Sequence, residues 1–195
     1  MDKRRFLSIT ALATGVLPAT RSTAAKTSPA GPTLLTVSGS IGSSNRAPLD
    51  AALDQMMVKH KIQFSKAWAF DAAALHRLPS ATIKPTLEYD AKAHTLRGPL
   101  LETVLRSAGV APDASVVLGL RAVDGYNVSV SLADVRKYRM IIATHIDGQP
   151  LPLGGLGPQW AVYEPEALPD FKDKPLKERF ALCPWGLYHI DVKPT

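Results

Sequence analysis

The sequence predicts a single mixed α+β domain, a β-sandwich or barrel carrying short helices. Three observations point there. From Ser115 onward the chain is a succession of short β-rich runs, split by Asp-Gly and Gly/Pro turns. Ahead of these runs, apolar residues recur at helical spacing in short segments. No GxGxxG or P-loop spacing marks a doubly wound sheet. At 195 residues, one domain with a proper core is the expectation.

The elements follow in order. "TLLTVSGSI" (33–41) is β-branched and ends at a Gly/Ser cluster, as a first strand does. "RAPLDAALDQMMVKH" (46–60) places Leu49, Ala52, Leu53, Met56 and Met57 on one helical face, with Pro48 in the first turn, so both methionines are expected in the core. "IQFSKAWAF" (62–70) alternates like a half-buried strand, and Asp71 is a suitable N-cap for a short helix through His76, closed by Leu78-Pro79. "GPLLETVLRSAGV" (98–110) reads as a helix with Leu100, Leu101, Val104 and Leu105 on one face and Gly109 at its end. Then come "SVVLGLRAV", "YNVSVSL", a short helix in "LADVRKY", "MIIATHI", "QWAVYE" and "GLYHIDV". These make about seven strands in all, without a repeat.

The front of the chain reads differently. "MDKRRFLSITALATGVLPATRSTAAK" has a basic start, an apolar stretch from Phe6 to Leu17 and small residues near Ser22 and Ala24, which predicts an export signal over residues 1–24. "KRRFL" is similar to a twin-arginine motif, with Lys3-Arg4 as the aligned pair; Sec export stays open beside it. A Pro/Ser/Ala linker at 25–32 separates the signal from a domain at 33–195. The expected destination is the periplasm, as a soluble chain without a membrane-spanning segment. Half of the +6 net charge sits in the signal, and no dense basic patch interleaved with aromatics follows, which argues against a nucleic-acid partner.

Little in the sequence suggests protein-held metal or nucleophilic catalysis. The five histidines lie at no metal-ligand spacing, and Cys183, the only cysteine, has no CxxC partner. Between Ala181 and Trp185 it reads as a small buried hydrophobe. No GxSxG elbow exists, and the sequence identifies no histidine partner for Ser38. Asp124, Asp147, Glu164 and Glu166 lie at strand ends or loops suited to acid/base work, yet Asp-Gly is first a hairpin signal. More distinctive are the aromatics Tyr89, Tyr126, Trp160, Tyr163 and Trp185, interleaved with Gly, Pro and charges. Flat rings with polar handles suit a planar heterocycle, whose edge Arg97 or Asp124 could bond.

"LLTVSGSI", "AFDAAALHRLP", "HTLRGPLLETVLRSAGV", the run from Asp124 to Pro165 and "CPWGLYHIDV" together resemble the oxidoreductase molybdopterin-binding domain, the sulfite-oxidase fold. The resemblance covers roughly 33–192 and implies that α+β fold. In catalytic members a cysteine thiolate binds molybdenum just after the strand matching "ATIKP", a sensible soft ligand. Here that stretch reads "TIKPTLEYDAKAH", without cysteine, which argues against molybdenum and against a usual oxotransferase. Cysteine-less small members resemble the PruR-type periplasmic pterin-binding proteins. That likeness implies a free reduced pterin or a molybdopterin as ligand, and a membrane-bound receptor with cyclic-di-GMP-metabolising domains as partner. Carried over by motif, the pterin-site residues are Thr86, Tyr89, Arg97, Asp124, Tyr126, Trp160 and Trp185. Two alternatives stay open: a genuine molybdopterin oxidoreductase, and an interaction module with a vestigial pocket.

Overall fold

The computed structural model describes residues 28–195, so the export signal and the first linker residues lie outside the described residues. In chain order the strands are β1 (Leu35–Gly39), β2 (Ala67–Phe70), β3 (Ser80–Ile83), β4 (Leu96–Pro99), β5 (Val116–Ala122), β6 (Asn127–Ser131), β7 (Ile141–Ala143), β8 (His145–Ile146), β9 (Gln149–Pro150), β10 (Trp160–Val162) and β11 (Leu187–Pro194). The helices are α1 (Gln55–Lys59), α2 (Ala72–His76), α3 (Leu101–Ser107) and α4 (Leu132–Lys137), with single 3-10 turns at Pro165–Ala167 and Leu176–Glu178.

β1 lies inside the main sheet, of order β2-β1-β11-β5-β6. It runs parallel to β11, with Val37 opposite Ile190, and antiparallel to β2. The last strand thereby brings both ends of the domain into one sheet, and its other edge takes β5 antiparallel. A four-stranded sheet β3-β4-β8-β9 and the pair β10-β7 complete the architecture. The result is a mixed α+β fold with several sheets and few short helices. Leu35 and Val37 of β1, Leu118 and Leu120 of β5, and Ile190 and Val192 of β11 bury against Leu101, Val104 and Leu105 of α3 and Ile141 and Ile142 of β7 in one core. Each such side chain contributes about 1.5–3 kcal/mol relative to exposure.

Local chemistry sets the element ends. Asp71 caps α2 by accepting from Ala74 N at 2.7 Å, and its second oxygen accepts from Gly31 N at 2.9 Å, which pins the linker to the domain. Ser131 caps α4 through Asp134 N. Gly109 ends α3 with φ +84°, its carbonyl accepting from Gly42 N, and a Cβ there would come within 2.7 Å of Ser43 N.

The segment 46–60 departs from expectation. Only Gln55–Lys59 is helical, Leu53 and Met56 are 82% and 42% exposed, and Met57 alone of the two methionines is buried. Asp50 takes the Ala52 and Leu53 amides with its side chain, and Asp54 takes the Asp50 amide and pairs with Arg46. These side-chain bonds replace the first helical turns. In 62–70 the strand begins only at Ala67; β3 overlaps the "ATIKP" strand that the resemblance implied, and β4 and β9 were not among the expected strands.

Candidate functional site

Three segments meet around a pocket of about 380 Å³. The β3–β4 connection, residues 84–95, presents Glu88 and Tyr89; the β5–β6 turn presents Asp124 and Tyr126; the approach to β11 presents Lys177, Phe180, Cys183 and Trp185. That volume lies in the range of small-molecule sites.

The 84–95 loop is held at both ends. Lys84 N and Thr86 N donate to the carboxylates of Glu164 and Glu166 at 3.2 and 3.1 Å, and Leu87 is buried beneath. His94 lies between two carboxylates, Nδ1 2.6 Å from Asp147 Oδ2 and Nε2 2.9 Å from Asp90 Oδ2. A neutral imidazole has one N–H, so both contacts call for the imidazolium. The Asp147 bond, then the Asp90 bond, raise the His94 pKa, and His94 lowers both carboxylates. Asp147 also takes Thr95 N at 2.9 Å, within the two-residue Asp147-Gly148 turn between β8 and β9.

Across the pocket, Asp124 Oδ1 accepts from Tyr126 N at 2.8 Å, and the Tyr126 hydroxyl donates to Ala181 O at 2.8 Å. Tyr89 and Tyr126 are 58% and 49% exposed at the rim, and Trp185 is half-buried. Partial burial, then the Glu88 charge, push the Tyr89 pKa up. Cys183 is 3% exposed on the floor, and burial pushes its thiol up to about 12. It is a thiol at neutral pH, in keeping with its reading as a small hydrophobe.

Of the seven sequence-derived residues, Tyr89, Asp124, Tyr126 and Trp185 line this pocket together. The other three lie outside its lining. Trp160 is 1% exposed, its Nε1 donating to Cys183 O at 2.8 Å and its backbone bridging Trp185, so it supports the wall and offers no free face for stacking. Thr86 sits in the stem of the loop, bridged to Ala93. Arg97 lines a separate, smaller cavity with His76 and His145. Sequence reasoning missed Glu88, whose only signal was adjacency to Tyr89, and Lys177, whose exposed 3-10 turn carries no motif.

Ser38 does find a histidine: its Oγ is 2.8 Å from His189 Nε2, across the parallel β1–β11 pair. Both side chains are buried and Phe64 stacks on the His189 ring, which leaves the pair no approach for a substrate. Burial lowers the His189 pKa to about 4. Two larger clefts, about 610 and 660 Å³, flank Ser28 and Pro29 where the described chain begins; Tyr188 lines the first, and Trp68 and Phe70 line the second.

The pocket's chemistry suits a flat heterocycle. It offers phenol and indole faces, two carboxylates and one ammonium. It does not suit a thiolate-ligated metal, because residues 84–95 carry no sulfur and the Cys183 thiol stays protonated. Among the described residues no three His, Cys, Asp or Glu side chains gather as a metal-ligating cluster.

No protein-family model and no curated protein matches the chain. Among solved structures, the sulfane dehydrogenase SoxCD from Paracoccus pantotrophus is similar, with a TM-score of 0.53 at 14% identity over 83% of this chain. The chain spans 38% of the length of that neighbour. At this identity the likeness concerns the fold alone: this mixed α+β domain has the architecture of part of the dehydrogenase, in line with the sulfite-oxidase-like fold expected from the motifs.

Proposed function

We propose that the chain is an exported, periplasmic pterin-binding protein, non-catalytic, that signals to a membrane-bound receptor with cyclic-di-GMP-metabolising domains. The observation that carries the pterin reading is the convergence of Tyr89, Asp124, Tyr126 and Trp185 on one pocket of about 380 Å³. Export and the receptor rest on the sequence features and on the PruR-type resemblance.

The roles follow from position. Trp185 and Tyr89 supply faces for the bicyclic ring, with Tyr126 closing the rim. A pterin's pyrimidine edge presents N–H donors, which a carboxylate accepts strongly. Asp124 keeps one oxygen beyond its bond to Tyr126 N, and Glu88 stands beside it in the lining. The floor of Phe180, Ala122 and Cys183 is buried and excludes water from the ring face. A free reduced pterin brings a ring whose oxidation state changes its hydrogen-bonding edge; a molybdopterin brings oxygen-transfer chemistry, for which this pocket offers no thiolate ligand.

The fold likeness to a dehydrogenase favours, as the second reading, a molybdopterin oxidoreductase that takes its metal ligands from the cofactor alone. One preparation separates the readings: mature protein from an export-competent host, assayed for metal by mass spectrometry and for released pterin by fluorescence. Pterin without metal is the expected result. Stoichiometric molybdenum overturns the binder in favour of the enzyme, and neither group, with no pterin uptake on titration, leaves an interaction module.

A further inference from the structure

Arg97 opens a different site. It lines a cavity of about 120 Å³ that shares no residue with the aromatic pocket. Arg97 on β4 and His145 on β8 are direct cross-strand partners, and His76, at the end of α2, stands with its ring centroid 5.0 Å from that of His145. Ser80 and Thr144 add hydroxyls, and no carboxylate lines the cavity. Three other arginines do meet acids: Arg46 pairs with Asp54, Arg136 with Glu102 and Arg179 with Glu166. No ion pair among the described residues includes Arg97, His76 or His145.

A guanidinium and two imidazoles converge there without a counter-charge, and an anion bound among them would supply it. Burial, then Arg97 and His76, lower the His145 pKa; these two are the titratable groups that face it, from β4 and α2. Thr144 Oγ1 lies 2.8 Å from His145 Nδ1 and fixes the ring, leaving Nε2 as its second polar atom. A guanidinium's planar fork matches an oxyanion's edge, and imidazole N–H groups complete a tetrahedral shell.

We propose that this cavity binds one free tetrahedral oxyanion of the phosphate or sulfate class, held by Arg97, His76 and His145. Its size suits such an ion and excludes a nucleotide or a peptide. The site stands independently of the pterin reading.

The test is a titration with inorganic phosphate, and separately with sulfate, at ionic strength held constant with chloride, following the histidine resonances by NMR. The expected result is single-site saturation that moves His76 and His145, weakened at least about tenfold in Arg97→Gln. His76→Gln, at an exposed helix end, should weaken it severalfold, whereas Lys172→Gln should leave it unchanged. For sulfate, whose charge is constant over this range, affinity should rise as pH falls below 6.5 and His145 gains its proton. Non-saturating shifts, shifts matched by chloride, or an Arg97→Gln variant that binds like the parent would overturn the proposal.

Discussion

His94 Nδ1 stands 2.6 Å from Asp147 Oδ2, and this contact ties the loop that presents Glu88 and Tyr89 to the β8–β9 turn. The bond raises the His94 pKa above 6.5, so its contribution is complete below pH 6.5 and is lost as pH climbs through the raised value. Asp90 and Asp147 are lowered from 3.8, so their contribution is present above 3.8 and is lost as pH falls through the lowered values. The clamp is therefore fully engaged between pH 3.8 and 6.5. Amide hydrogen-exchange protection over residues 84–95 should drop on the alkaline side, and His94→Gln should remove that drop. Equal protection in parent and variant at every pH would show that the loop is held without His94.

His189 titrates in the opposite sense. Its folded pKa of about 4 lies below 6.5, so the unfolded chain binds more protons between those values and stability is lost as pH is lowered from 6.5 to about 4. The fall should total roughly 3 kcal/mol. Urea unfolding of the parent at a series of pH values should show it, and His189→Gln should flatten that limb while retaining a polar partner for Ser38. An unchanged limb in the variant would assign the acid sensitivity elsewhere.

The two tryptophans that bridge β10 to the β11 approach should separate by function. Trp160→Ala empties a fully buried site and removes the donor to Cys183 O, costing about 3–5 kcal/mol by denaturant midpoint. Trp185→Ala, half-buried on the pocket wall, should cost less stability and more pterin affinity. The reverse ranking would place the working surface on the wrong tryptophan.

Cys183 should behave as packing. With its thiol pushed up to about 12, it should resist iodoacetamide at neutral pH in the folded protein and react once urea unfolds the chain. Cys183→Ser should leave pterin binding almost intact. Rapid alkylation of the native protein would mean an accessible thiolate and would reopen metal ligation.

How much of this was legible in the sequence depends on the range of the interactions. The Asp71 cap, the Gly109 stop and the Asp147-Gly148 turn are local devices, and each is found where the sequence puts it. The truncated helix at 46–60 failed because Asp50 and Asp54 have two uses, helix surface or amide capture, and Arg46 favours the second. β8 and β9, at two residues each, are too short to show a period. Tyr89, Tyr126 and Trp185 stood out because aromatics beside turn signals are conspicuous, and Asp124 because it opens a turn; the structure brings the four to one pocket. The burial of Trp160 was not legible because sequence cannot tell a ring facing a ligand from one facing Phe180, 5.7 Å away in the core. The Ser38–His189 contact joins positions 151 residues apart, and Arg97's separation from the pocket follows from its strand register.

The most direct test of the central claim is a fluorescence titration of the metal-free mature protein with a reduced pterin, following quenching of tryptophan emission. Saturable one-to-one binding is the expected result, falling at least about tenfold in Trp185→Ala and in Tyr89→Ala, as for loss of a ring worth about 1–3 kcal/mol of stacking. Lys172→Gln should bind like the parent. Absence of saturable binding, or binding indifferent to both aromatic substitutions, would contradict it.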